Sequence, residues 1–379
     1  MEYVKILNQL DISKDRSLAF DTETTGTNPY GDFKRWGYYP ARPFAWSFCD
    51  SSGNTAYVRW KVDPFTRKVI PSRQSYEDIK SIIEDKSITK IAHNLNFDMK
   101  MCTFMGMSFR GNFEDTIIGA HVVTGGSELS YALKEFCKRR MGFSTEDEKD
   151  LEESAKESRK DAKRKGWYIA SGEHFGSKPW KADYWLADRA LCKKYAVGDA
   201  ERSMLVWLWL KEQLESNEDF RKTYDREKRL FMPVMRMELR GVKVFPEKLK
   251  ELKKFYASYM KLQRLEAEKD GGRKLNFRSP KQKSEIFYDE RKYEPKYFTK
   301  KGNPSTNGDS LIYFMERYKD KLAKAILEHN AADHMITGFI HPYEKFMVKE
   351  DENTWILHPS FKQTGTKTGR LSGLSLIHI

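Results

Sequence analysis

Cysteine is scarce in this sequence and is never paired. The four cysteines among 379 residues lie far apart, at Cys49, Cys102, Cys137 and Cys192. Their spacing matches neither a structural zinc site nor the disulfide framework of a small secreted domain. We therefore predict reduced, mostly buried thiols in a cytoplasmic protein.

Long apolar runs are also missing. No stretch is long enough to span a bilayer, and the N-terminal Met-Glu-Tyr-Val-Lys-Ile-Leu does not have the pattern of a signal peptide. Hydrophobic residues still make up 39% of the chain, which suffices for two or three domains with cores of their own. We expect no contact with membranes.

Acidic residues are outnumbered by basic ones. Lys and Arg total 68, Asp and Glu total 55, and the formal net charge is +13. A polyanionic partner is the natural inference, with nucleic acid before a membrane surface. Charge alone is a weak signal, because many basic proteins bind no nucleic acid.

Apolar patterning in the first 140 residues predicts an α/β fold. Strands are predicted at 18–26, 44–49, 55–60 and 90–93, and an amphipathic helix at 76–85. Strands that come first and then alternate with helices predict a mixed sheet flanked by helices. The charged stretch 145–164 predicts a solvated helix or a mobile insertion. The aromatic stretch 166–183 has no clear period and is interpreted as a peripheral elaboration.

The first candidate site is the end of the strand predicted at 18–26. Asp21 and Glu23 are two residues apart, so they project from the same face of a strand. Two neighbouring carboxylates repel each other and need a cation or a shared proton. A hard divalent metal, Mg²⁺ or Mn²⁺, fits oxygen ligands best, although solvated acids at a strand end are the plain alternative.

Two more acidic motifs follow. In Asn94-Leu-Asn-Phe-Asp98 the acid falls in the first turn of a predicted helix, where the helix dipole alone favours it. In Tyr195-Ala-Val-Gly-Asp199 the tyrosine and the acid share one face of a helix predicted over 187–214. Gly and Asp are poor residues for a helix interior, which indicates close approach to another group.

Together and in this order, the three motifs resemble those of the DEDDy family of 3′→5′ exonucleases, over about residues 1–215. The resemblance implies an RNase H-like domain with the insertion at about 144–183. It also implies phosphodiester hydrolysis with two Mg²⁺ or Mn²⁺ ions.

The resemblance also implies roles for individual residues. The catalytic set would be Asp21, Glu23, Asp98, Tyr195 and Asp199. Its four acids would hold the metals, with Asp21 between them, and Tyr195 would orient the attacking water. Asn94 and Phe97 would support the strand end and the terminal nucleotide. Asp115 would lie behind the ligands or be structural.

The second half carries another resemblance. Segments 227–244, 275–282 and 358–372 resemble the start of the polymerase domain of family A, the DNA polymerase I-like enzymes. Phage-encoded members of that family often look like this chain, so we expect a phage-encoded protein. The Lys-rich helices at 246–335 would form a mainly helical, thumb-like region that grips primer-template DNA through its phosphates. Arg370 would reach the minor groove near the primer terminus, with Thr366 and Thr368 as nearby polar contacts.

The sequence departs from that family after Ser372. The family continues into the palm and fingers, whereas this sequence ends at Ile379. We therefore expect a polymerase domain, 216–379, that is cut short before the palm carboxylates. These 379 residues should incorporate no nucleotides, while a full-length parent should be a polymerase.

The leading interpretation is a proofreading 3′→5′ exonuclease that acts on single-stranded 3′ ends of DNA, as a monomer in the cytoplasm of a bacterial host. One alternative is a stand-alone 3′→5′ exoribonuclease, which the segment 358–372 disfavours. Another is an inactive DNA-binding module, which the complete set of acids and Tyr195 disfavours. The sequence leaves a processivity partner open.

Overall fold

The computed structural model describes residues 6–31, 37–144, 146–171 and 177–374. They form two compact units. The first combines Met1–Gly241 with His358–Ile379, and the second is Val242–Leu357. None of the helices in the described ranges could cross a membrane.

The first unit is built on a five-stranded mixed sheet. Its strands are β1 (Ser17–Thr24), β2 (Pro43–Asp50), β3 (Thr55–Arg59), β6 (Thr89–Ala92) and β7 (Phe113–Asp115). The order across the sheet is β3-β2-β1-β6-β7. The pairs β1–β2 and β2–β3 are antiparallel, and β1–β6 and β6–β7 are parallel. The predicted mixed sheet is confirmed.

Helices and short elements complete this unit. The helices are α1 (Arg73–Glu84), α2 (Leu95–Phe104), α3 (Thr116–Val123), α4 (Leu133–Met141), α5 (Glu146–Arg164), α6 (Arg189–Ser216) and α7 (Glu218–Arg240). The short strands are β4 (Lys61–Val62), β5 (Val69–Ile70), β11 (Ser360–Lys362) and β12 (Ser372–Leu374), and 3-10 helices span Ile6–Gln9 and Pro179–Leu186. Ile79, Ile82 and Ile83 of α1 are buried as their spacing predicts.

The long helix α6 lies against the centre of the sheet. It packs on β1 and β2, and the Ser47 hydroxyl of β2 donates a hydrogen bond of 2.7 Å to the Ala196 carbonyl. Its apolar second half, including Met204 and Leu210, is buried in the main core with Phe20 and Trp46 of the sheet. This packing brings the middle of α6 to the end of β1.

All four cysteines are free and buried, as predicted.

The second unit is mainly helical. It contains α8 (Pro246–Asp270), α9 (Pro280–Ser284), α10 (Gly308–Tyr318), α11 (Lys321–Met335) and α12 (His341–Phe346), with π-helical turns at Glu285–Glu290 and Ile336–Ile340. Its small sheet has the order β8 (Val242–Val244), β10 (Trp355–Leu357), β9 (Val348–Lys349). A separate core contains Phe287, Phe314 and Ile326.

The division into compact units differs from a boundary at residue 215. The polar run around Asn217 is only a break between α6 and α7, where the Asn217 side chain caps α7. Helix α7 then packs into the core of the first unit through Tyr224, Phe231 and Met235. The domain limits 1–215 and 216–379 stay a prediction about sequence families.

The insertion at 144–183 is more firmly packed than its charge predicts. Leu151 and Ala155 of α5 are fully buried with Tyr184 and Cys192 in a core cluster of their own. This cluster also reaches Tyr195 on α6. The prediction of a solvated helix is therefore wrong for the face of α5 that carries Leu151 and Ala155, and the role of the insertion stays a prediction.

Candidate functional site

Three carboxylates from β1 and α6 converge in the first unit. Asp21 and Glu23 lie on β1, and Asp199 lies in the middle of α6. Each offers an oxygen, and these oxygens all lie within 4.8 Å of one another. The sequence separation of about 180 residues means that only the packing of α6 on the sheet brings them together.

This cluster is electrostatically unfavourable without a cation. Burial, followed by the charge of Glu23, raises the pKa of Asp21 well above its ordinary range. Burial and the neighbouring Asp199 raise the pKa of Glu23 to about 8, and burial likewise raises the pKa of Asp199. Like charges in a desolvated site disfavour one another.

One oxygen of the cluster lacks a protein partner. Glu23 is 7% exposed, and its Oε1 atom has no hydrogen-bond partner among the described residues. A buried carboxylate oxygen left unsatisfied is expensive. The oxygen-only donor set, its close spacing and this free oxygen fit a hard divalent cation.

Asp98 adds a fourth carboxylate behind the strand. It lies in the first turn of α2 and is 3% exposed. Its Oδ1 atom accepts hydrogen bonds from the Thr22 amide at 3.1 Å and the Thr22 hydroxyl at 2.5 Å. Burial raises its pKa to about 7 although these hydrogen bonds act in the opposite direction. Thr22 thus ties Asp98 to the strand that carries the first motif.

Tyr195 stands one helical turn before Asp199. Its ring packs edge-on against Tyr184, with ring centroids 5.6 Å apart. Lys134 of α4 places its Nζ atom 3.5 Å from the centroid of the Tyr195 ring. Burial and the Asp199 charge raise the pKa of Tyr195 well above its ordinary range, so its hydroxyl stays protonated near neutral pH.

The other predicted residues of the second motif surround the start of α2. Asn94 is exposed and adopts a left-handed backbone conformation, φ 72°, just before α2. Phe97 is half-buried. Asp115 accepts hydrogen bonds from the amides of Ile117 at 2.8 Å and Leu95 at 2.9 Å. Its carboxylate therefore joins the starts of two helices.

Thr366, Thr368 and Arg370 lie in the C-terminal stretch that belongs to the first unit. The Thr366 hydroxyl accepts from the Arg370 amide at 3.0 Å and donates to the Arg370 carbonyl at 2.9 Å. Thr368 and Arg370 are exposed. Their DNA contacts stay a prediction.

Sequence reasoning missed four residues around the acids. They are Thr22, Lys134, Asp147 and Arg202. Only Arg202 carries a local signal, because it follows Asp199 by three residues on the same helix face. Thr22 lies between Asp21 and Glu23 in the sequence but meets Asp98 only through packing. Packing alone also brings Lys134 to Asp199 and Asp147 to Lys134 and Arg202.

Two family models match this chain. Residues 46–215 match the 3′-5′ exonuclease, and residues 246–375 match DNA polymerase family A. The exonuclease match begins after Asp21 and Glu23. Their place in the site therefore depends on the geometry and on the motif order.

Similar proteins are DNA polymerases. DNA polymerase DpoZ of Acinetobacter phage SH-Ab 15497 is 27% identical, with 96% of this chain and 55% of the relative aligned. DNA polymerase I of Rhizobium leguminosarum is 24% identical, with 80% and 27% aligned. The DNA polymerase of Bacillus phage SP01 is 41% identical, with 27% and 10% aligned. The chain thus spans about half or less of the length of these relatives.

A solved structure has the same fold. The POL domain of Pol1 from M. smegmatis, in complex with DNA primer-template and dNTP, aligns with a TM-score of 0.65 at 18% identity. The alignment covers 94% of this chain and 50% of that one. Together with the exonuclease match, it confirms the predicted RNase H-like domain followed by a helical region.

Proposed function

Since the chain carries a 3′-5′ exonuclease domain followed by sequence of the family A DNA polymerases, we propose that it removes nucleotides from 3′ ends of DNA and proofreads for a polymerase. The observation that carries this proposal is the meeting of Asp21, Glu23 and Asp199 within 4.8 Å of one another. Glu23 and Asp199 are buried beside half-buried Asp21, and burial together with the like charges raises the pKa of Asp21 and Glu23 although Lys134 and Arg202 contact Asp199.

The exonuclease domain implies dependence on a divalent metal, and we propose Mg²⁺ or Mn²⁺. Asp21, Glu23 and Asp199 would hold one ion, and Asp98 with Asp21 would hold a second. When bound, such a pair supplies a hydroxide nucleophile at neutral pH and stabilises the leaving 3′ oxygen. The acids themselves fix where the scissile phosphate can lie.

The remaining residues position substrate and water. The protonated hydroxyl of Tyr195, one turn from Asp199, would orient the attacking water by a hydrogen bond. Exposed Asn94, just before α2, and half-buried Phe97, in its first turn, precede Asp98 and would contact the terminal nucleotide, Phe97 by stacking. Asp115 supports them from behind because it holds the Leu95 amide at the start of α2.

The substrate proposed is single-stranded DNA at a frayed 3′ end. The net charge of +13 favours a polyanion. We propose the Lys-rich helices of the second unit and Arg370 as contacts for primer-template duplex. Polymerase activity is proposed for the longer family A enzyme, and a monomer is the simplest state for this chain.

The test is digestion of a 5′-labelled single-stranded DNA with Mg²⁺ or Mn²⁺, with and without chelator. We expect a chelator-sensitive ladder that shortens from the 3′ end. Asp21→Ala combined with Glu23→Ala should abolish it, because at least two ligands are lost. Glu77→Ala with Asp150→Ala, two exposed acids, is the matched control.

Three results would contradict the proposal. Near-wild-type activity in the Asp21→Ala, Glu23→Ala protein would remove these acids from the reaction. Preferred digestion of the RNA oligonucleotide of the same sequence would favour the exoribonuclease instead. A folded, DNA-binding chain without any ladder would indicate the inactive binding module.

A further inference from the structure

The helix of the insertion brings a buried acid to the back of the proposed exonuclease site. Asp147 is the second residue of α5 and is 8% exposed. Its Oδ2 atom accepts hydrogen bonds from Lys134 Nζ at 3.1 Å and from Arg202 Nη1 at 2.9 Å. A buried carboxylate between two cations is a specific arrangement, because each charge loses its water and needs its partners.

The same two cations also hold the acid of the third motif. Arg202 Nη1 lies 2.9 Å from Asp199 Oδ1, and Lys134 Nζ lies 3.6 Å from that atom. Asp147 and Asp199 therefore share Lys134 and Arg202, and the four formal charges cancel. Because both contacts fall on one oxygen of Asp199, they fix the rotation of its carboxylate.

Lys134 has a second contact at the site. Its ammonium group lies over the face of the Tyr195 ring, 3.5 Å from the centroid, within the range of a cation–π interaction. Tyr184, which directly follows the insertion, packs edge-on against the same ring. The ring that carries the water-orienting hydroxyl is thus held by two residues outside its own helix.

The glycine of the third motif fits this arrangement. A Cβ added at Gly198 would lie 2.9 Å from Arg202 Nη1 and 3.5 Å from Asp147 Oδ2. A side chain at this position would therefore require the guanidinium end of Arg202 to shift from its place between the two acids. An otherwise unfavourable glycine inside α6 leaves room for the cation between Asp147 and Asp199.

We propose that the insertion contributes to the exonuclease site through Asp147. Asp147 and Lys134 of α4 act together as positioning residues for Tyr195 and Asp199. This inference rests on the proposed exonuclease function and adds a role for a region that its motifs do not include. Without Asp147, two cations compete for the single carboxylate of Asp199 and draw it away from the site. Without Lys134, the Tyr195 ring loses the contact on its face.

The experiment compares near-isosteric variants in the full chain. Asp147→Asn and Lys134→Met each remove one charge, and the double variant removes one charge of each sign, so it keeps the site balanced. Asp150→Asn on α5 and Lys138→Met on α4 are matched controls at exposed positions. Lys134→Arg tests whether a cation alone restores function. For every variant, thermal unfolding is measured, and so is DNA binding in the presence of chelator.

We expect each single variant to lower kcat about 10- to 100-fold, the usual effect of removing a group that orients a metal ligand. KM for single-stranded DNA should change little, since both residues act behind Tyr195 and Asp199. The double variant should lose about as much kcat as the less active single variant and no more, because the pair acts as one unit. Lys134→Arg should recover most of kcat, and the controls should match wild type.

The outcomes separate this inference from the proposed function. If wild type shows a chelator-sensitive ladder and Asp147→Asn or the double variant retains wild-type kcat, the insertion has no such role and the exonuclease stands. If a single variant fails to unfold cooperatively, the charge-balanced double variant decides the question. If wild type itself has no activity while folded, the proposed function fails first.

Discussion

At the scale of single residues, the carboxylate cluster trades stability for function. Without metal, Glu23 and Asp199 repel each other in a desolvated site, and the pKa of Glu23 is raised to about 8 by burial and by Asp199. The folded chain then binds a proton that the unfolded chain has lost. The free energy of unfolding therefore falls as the pH rises from about 4.5 towards 8, and stability is greatest at the acid end of this window.

The substitution Glu23→Gln removes this repulsion and keeps the shape of the side chain. With chelator at pH 8, we expect the variant to unfold at a higher urea concentration than wild type. Its free energy of unfolding should be about 1–2 kcal/mol larger, as found for changes that relax a functional site. Adding Mn²⁺ should stabilise wild type more than the variant, because ligand binding to the folded state adds stability.

Urea unfolding with chelator and with Mn²⁺ measures both effects, and Glu77→Gln, at an exposed position, is the control. A Glu23→Gln protein less stable than wild type in chelator would contradict the repulsion. Equal stabilisation of both proteins by Mn²⁺ would remove Glu23 from the metal site.

The same residues show how far sequence can predict a site. The meeting of Asp21, Glu23 and Asp199 could be predicted because the motifs have fixed local spacings and follow a fixed order. The roles of these acids, Asp98 and Tyr195 stay a prediction. Lys134 and Asp147 could not be predicted, because a lysine or an acid in a charged stretch has no spacing that distinguishes a buried pair from a solvated one. Their partners are set only when α4, α5 and α6 pack.

At the scale of elements, the sheet and its helices were predictable because their apolar periods are strong. β1, β2 and β3 alternate or are continuously apolar, and α1 has three isoleucines on one face. The packing of α5 could not be predicted from the sequence, because small alanines such as Ala155 and Ala162 supply much of its buried face. The many charged residues around these alanines make the sequence of α5 look like that of a solvated helix.

A turn beside β7 gives a test of close approach between elements. Gly111 has φ +84°, and a Cβ there would lie 2.7 Å from the Lys86 carbonyl oxygen and 2.9 Å from the Lys86 Cα. Gly53, in the hairpin between β2 and β3, has φ +88°, but no atom of the described residues lies within 4 Å of such a Cβ. The two glycines share the backbone strain and differ in the space around them.

We therefore expect Gly53→Ala to cost about 1–2 kcal/mol of stability from the left-handed backbone alone. Gly111→Ala should cost about 1–3 kcal/mol more, because the Lys86 backbone must move to relieve the clash. Urea unfolding of both variants measures the difference. Equal losses of unfolding free energy in the two variants would show that the Lys86 backbone moves away from the added Cβ at no cost.

At the scale of the whole molecule, the compact units do not follow the sequence families. The exonuclease match ends at residue 215 and the polymerase match begins at 246, but α7 and the stretch from His358 pack in the first unit. Glu238, fully buried on α7, accepts a hydrogen bond from the Phe361 amide, and its carbonyl lies 2.9 Å from His358 Nδ1. No local pattern predicts this return of the chain.

The second unit is therefore one continuous segment of the chain, and its two ends pair with each other. Val242 pairs with Leu357 and Val244 with Trp355 in the antiparallel pair β8–β10. The unit has its own core, in which the fully buried Phe314 ring packs at 4.9 Å from the Phe287 ring. Closed ends and a separate core are what an independently folding segment needs.

We predict that residues 242–357, produced alone, fold into a helical segment with a cooperative thermal transition. Phe314→Ala should lower its unfolding free energy by about 3–5 kcal/mol, the usual cost of emptying a buried phenylalanine site. Phe298→Ala, at an exposed position, should have little effect. Circular dichroism against temperature and urea measures both. A gradual, non-cooperative transition in the wild-type segment would mean that this core depends on the rest of the chain, because closing β8 onto β10 would then not suffice to hold it.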